Sequence, residues 1–118
     1  MVMAVASVTG AGTSAPTVAA ASGTANKPGR NLATGANISR SAEGVYSITI
    51  AAALRPPVVS AVLPSVRGPD GRKATVTSYT PSTGVLLVKA WSVAGVADDL
   101  ETTDQLDLVF VAADSTAS

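Results

Sequence analysis

The chain contains no cysteine and no histidine. The first absence removes disulfides, thiolate nucleophiles and cysteine metal sites. Together they remove the usual zinc ligands and the side chain best suited to proton transfer near neutral pH. Serines are plentiful, yet a serine nucleophile with neither a histidine nor a placed lysine lacks a base. A non-enzymatic protein without a cofactor is the expectation.

Aromatic residues are scarce: one Trp, two Tyr and one Phe in 118 residues. Long apolar runs are missing as well, and none approaches the roughly 20 residues of a membrane span. The opening MVMAVASVTGAG lacks a basic segment, and its apolar stretch is broken by Ser7, Thr9 and Gly10, which argues against a secretory signal. The chain is expected to be soluble and unprocessed. Eight basic and eight acidic residues cancel, so bulk electrostatics speak against a nucleic-acid partner.

What is present is a high apolar fraction, 47%, much of it alanine. Alanine buries little area per residue, so the chain's own core is expected to be modest, with assembly between copies supplying further burial. Charge is unevenly spread. Residues 1–40 hold Lys27, Arg30 and Arg40 and no acid, +3, whereas residues 41–118 hold five basic against eight acidic side chains, −3. Lys27, Arg30 and Arg40 are therefore candidate interface residues that would meet acidic neighbours on other subunits.

Residues 1–42 are dominated by Ala, Gly, Ser and Thr and show neither sustained alternation nor a helical stripe. They are expected to form an extended N-terminal arm lying along neighbouring chains. The alternative is that residues 3–9, MAVASVT, pair locally as an additional strand.

From Glu43 the texture changes, and residues 43–118 are assigned to one domain. Residues 45–50 alternate and are rich in β-branched side chains, as a half-buried strand requires. Pro56 and Pro57 forbid a helix through that point. Residues 58–63 form a second apolar run ending at Pro64, which suits an edge strand. Arg67-Gly68-Pro69-Asp70-Gly71-Arg72 carries strong turn chemistry and predicts a hairpin loop. Residues 73–79 and 85–91 predict strands around the turn Thr80 to Gly84, and residues 105–112 a last strand apolar enough to be central. The fold class is thus all-β, a small antiparallel sandwich or barrel with an extended N-terminal arm.

Asp98, Asp99, Glu101, Asp104 and Asp107 are the candidate oxygen cluster for a hard cation. Their spacing lacks the alternating ligands and central glycine of an EF-hand loop, so a solvated acidic loop and no metal are expected. Tyr46, Tyr79, Trp91 and Phe110 all fall in predicted strands and are expected to pack. If one faces outward it is Trp91, since a lone large aromatic near a strand end suits an interface anchor.

The succession Gly44-Val45-Tyr46-Ser47-Ile48-Thr49-Ile50, Pro57-Val58-Val59, Ala74-Thr75-Val76-Thr77, Gly84-Val85-Leu86-Leu87-Val88 and Leu106-Asp107-Leu108-Val109-Phe110-Val111 resembles small β-sandwich modules of tailed-bacteriophage virion proteins. The likeness is to capsid decoration and head-fibre types and covers residues 43–113. It implies a cement protein on the capsid surface of the virion, a homotrimer whose partner is the major capsid protein and whose arm reaches across the shell. The same rhythm is similar to trimeric H-type lectins, which implies a glycan as the alternative partner. The scarcity of aromatics departs from that second pattern.

Overall fold

The computed structural model describes residues 2–19, 31–56 and 58–112. They form eight strands: β1 (Val2–Thr9), β2 (Thr17–Val18), β3 (Asn37–Ala42), β4 (Val45–Thr49), β5 (Val59–Arg67), β6 (Lys73–Thr80), β7 (Val85–Trp91) and β8 (Gln105–Ala112). One short 3-10 turn, Ala52–Leu54, precedes β5. The strands make two antiparallel four-stranded sheets, β2-β1-β8-β5 and β3-β4-β7-β6, called sheets A and B below. The expected all-β sandwich is what the chain forms.

Alternation explains the layers, because residues two apart on a strand share a face. In sheet B, Tyr46 and Ile48 of β4 and Leu86, Val88 and Ala90 of β7 point inward and are buried. In sheet A, Leu106, Leu108 and Phe110 of β8 do the same, with Ala6 and Val8 of β1 beside them. Tyr79 meets Phe110 edge-on across the core, ring centroids 5.1 Å apart at 80°, an arrangement that aromatic quadrupoles favour.

The N-terminal arm requires a correction. Val2–Thr9 pairs along β8 from Val2↔Ala112 to Thr9↔Gln105, so β1 is an interior strand of sheet A and its Ala6 and Val8 lie in the common core. Local pairing wins over docking on other chains because every second residue is an alanine or valine small enough to sit under sheet B, while Ser7 and Thr9 face out. The domain accordingly begins at β1, and β3 (Asn37–Ala42) is also part of it. Leu32 and Ala33 join the core as well.

The outer edge of β1 is closed by an unusual partner. The side-chain amide of Asn31 takes the place of a neighbouring strand: its Oδ1 accepts from the Ser7 amide at 2.8 Å, and its Nδ2 donates to the Ser7 carbonyl at 2.9 Å. Leu32 N–H continues the ladder to the Val5 carbonyl, and β2 covers Val8 and Thr9. Backbone groups that would otherwise template an unwanted strand are thereby satisfied.

A second correction concerns the Arg67 to Arg72 turn. It connects β5 to β6, but β5 pairs with β8 and β6 with β7, so it crosses from sheet A to sheet B and is no hairpin. Pro64 stands within β5, opposite Leu108, and is tolerated because β5 is an edge strand. The turn Thr80 to Gly84 is a true β6–β7 hairpin.

Because β1 supplies a full row of pairing and core contacts to β8, removing residues 2–9 should abolish the cooperative unfolding transition. Urea titration followed by Trp91 fluorescence checks this; a shortened chain that still unfolds cooperatively would return β1 to the status of an arm.

Candidate functional site: an ionic loop and two open sheet faces

Residues 92–104, between β7 and β8, carry most of the acidic cluster, and they are not the solvated loop expected. Leu100 is fully buried, Asp99 is 5% exposed and Asp104 1%. Buried carboxylates persist only when paired and hydrogen-bonded, and both find arginines distant in sequence.

Asp99 sits against the β3–β4 hairpin. Arg40 grips it in bidentate fashion, Nε to Oδ1 at 2.9 Å and Nη2 to Oδ2 at 2.8 Å. Oδ1 also accepts from the Gly44 amide at 2.8 Å and from the Tyr46 hydroxyl at 3.2 Å. The Tyr46 oxygen in turn accepts from the Leu100 amide at 2.8 Å. Gly44 has φ near 70°, and a Cβ there would come within 2.7–2.9 Å of the Ala90 carbonyl and the Asp98 backbone, so glycine is required twice over.

Arg72 organises a second cluster, donating to Asp98 at 3.0 Å, Asp70 at 2.9 Å and Asp104 at 3.2 Å. Asp104 Oδ2 also accepts from the Glu101 amide. Its Oδ1 is buried with no hydrogen-bond partner and lies against the Cα of Gly68, where any Cβ would collide with it. The loop is tied to a third element by backbone bonds from Gly10 to the Asp104 carbonyl and from Gly12 to the Leu100 carbonyl. Asp107, outward on β8, accepts from Ser7, Gln105 and Arg67. Burial opposes its ionisation, and these bonds outweigh it, holding its carboxyl below the ordinary value. Among the described residues no group of three acidic side chains is arranged to hold a metal ion. Arg40 pairs with Asp99 in the first cluster, and Arg72 is the centre of the second.

The candidate interface residues separate. Lys27 and Arg30 lie outside the described residues. Arg40, expected to meet an acid on another subunit, meets Asp99 of its own chain. Trp91 stands on the outward side of β7, since Ala90 points into the core. Its indole N–H donates to Thr75 Oγ1 at 3.0 Å, and Lys89 Nζ lies 5.8 Å from its ring centroid.

Sheet A exposes a feature that the reading of the sequence missed. Val5, Val109 and Leu63 form one cross-strand row on its outward side, with Val111 and Ala61 in the next. Leu63 is 54% exposed and Val5 37%. The signal was the unbroken run from Leu108 to Val111, which leaves apolar side chains on both faces of one strand.

No family model, curated protein or solved structure matches this chain.

Two outcomes follow from the ionic loop. Asp99→Ala strands the Gly44 amide without its acceptor and should destabilise the fold by about 2 kcal/mol or more, read as a shift in denaturant midpoint. The pH window has two sides. Arg40 first, then Gly44 and Tyr46, hold the Asp99 carboxyl below its usual value of 3.8, so its stabilisation is complete above about pH 4 and is lost as pH falls further. Burial pushes the Tyr46 phenol from 10.0 up to about 12, so stability held by the neutral phenol is complete below pH 10 and drains away between pH 10 and 12. Thermal unfolding across pH 2–12 checks both flanks; a flat profile through either window would contradict the network.

Proposed function

We propose that this protein is a structural virion protein, a capsid decoration or cement protein of a tailed bacteriophage that binds the major capsid shell as a homotrimer. The observation that supports this most directly is the apolar row Val5, Val109 and Leu63 on the outside of sheet A. A two-layer sandwich needs only its inner faces apolar, so outward-facing valine and leucine across adjacent strands suit a surface that another protein covers. The resemblance of the strand and turn rhythm to phage β-sandwich modules supports the same reading.

Stabilisation of a shell by such a protein comes from many modest contacts repeated by symmetry, which requires a rigid module and no chemistry. The ionic loop supplies that rigidity by fastening one end of the sandwich. With Val2–Thr9 built into sheet A, the faces of the sandwich are the surfaces this reading offers to the shell.

A carbohydrate-binding function is the alternative, favoured by the outward position of Trp91 on sheet B. Cosedimentation with empty shells of the cognate major capsid protein, run beside a glycan array, distinguishes the two. The proposal predicts saturable shell binding that Leu63→Glu reduces at least tenfold. Glycan binding with no shell association would overturn it.

A further inference from the structure

On the outward face of sheet B, we propose, Lys73, Lys89 and Trp91 form a recognition site for an extended acidic segment of a protein partner, one bearing two carboxylates at alternate positions. Trp91 is directly opposite Lys73 in the β6–β7 register, and Thr75 is opposite Lys89. The four side chains therefore share one side of the sheet as two adjacent cross-strand pairs.

Charge selects the partner. Every arginine among the described residues is engaged: Arg40, Arg67 and Arg72 with aspartates, and Arg55 with the Ile50 and Ser82 carbonyls. Lys73 and Lys89 are the described cations with no ion pair among the described residues, and both side chains are exposed. No carboxylate occupies an outward position on β3, β4, β6 or β7. Glu43, exposed in the β3–β4 turn at this end, forms no salt bridge with either lysine. The face thus presents two uncompensated positive charges around one half-buried aromatic ring.

Geometry narrows the choice further. The lysines are diagonal neighbours, which places the two residues about 7–8 Å apart and their Cβ atoms somewhat closer. Residues two apart on an extended chain are about 6.6–7 Å apart and point the same way. An acidic-x-acidic segment crossing obliquely from β7 to β6 would therefore set one carboxylate on each ammonium, with the Trp91 ring beside it. The indole N–H is already committed to Thr75, and one side of the ring is shaded by Lys89, which leaves little for the directional polar contacts that fix a sugar. An acidic peptide needs only the two charges and the apolar ring.

This inference rests on the reading of the protein as one that docks on protein subunits, but its test uses the chain alone. The hexapeptide Thr-Glu-Val-Glu-Thr-Val, blocked at both ends, is titrated into the labelled protein while the Trp91 indole N–H resonance is followed. A saturable shift is expected. It should weaken at least tenfold for Lys73→Gln/Lys89→Gln and for a peptide with three residues between its glutamates, and it should vanish in 1 M salt, where the Debye length falls to about 3 Å. The core resonance of Tyr46 reports that the double variant remains folded. Absence of a shift, equal shifts with both peptides or in the double variant, or a response to a uronic-acid disaccharide in place of the peptide would overturn the proposal. A chain that binds shells but fails this titration loses only the site; one that binds the peptide but no shell loses only the virion function.

Discussion

The carboxylate of Asp99 is the point on which the rest of the sandwich depends. It is buried, so it must be compensated, and it is compensated by one hairpin 53–59 residues away in the chain: the Arg40 guanidinium on β3, the Gly44 amide of the β3–β4 turn and the Tyr46 hydroxyl on β4. An ion pair of this kind contributes little net energy compared with an apolar replacement, but it is exacting about geometry. That exactness places residues 92–104 across one end of the sandwich. Once placed, the loop meets the Arg72 cluster on the β5–β6 crossing and the backbone at Gly10 and Gly12, just after β1.

Three connections that belong to different sheets are thus fastened to one loop. The consequence is a module closed at that end by polar chemistry around the buried Leu100, over a core that includes small side chains such as Ala6, Ala33 and Ala90. The faces are left free for other uses. Sheet A turns an apolar row outward, whereas sheet B turns out Ser and Thr together with Val45, Val85 and Leu87 and with Lys73, Lys89 and Trp91.

Much of the fold was legible in the sequence. Strands β4, β6, β7 and β8 follow directly from alternation bounded by turn residues, and Trp91 was the aromatic expected to face outward. β1 was harder to recognise because its inward residues are alanine and valine, whose small area gives alternation a faint signal beside an arm rich in Gly, Ser and Thr. The Arg67 to Arg72 turn carried all the chemistry of a hairpin, yet turn residues fix only a reversal of the chain and not which strands then pair. The acidic stretch looked solvated because its partners, Arg40 and Arg72, lie 59 and 32 residues from Asp99 and Asp104. Pairing at such separations exists only once the sheets have stacked.

The claim that this loop is an integral fastening and not a surface excursion is tested most directly by native-state amide exchange. The account predicts that the Gly44 and Leu100 amides, held by Asp99 and by the Tyr46 hydroxyl, exchange only through global unfolding, with protection matching that of Leu86 and Leu108 in the central strands. Exchange of Gly44 and Leu100 within seconds while the central strands stay protected would show that the loop opens independently, and it would contradict the dependence of the sandwich on Asp99.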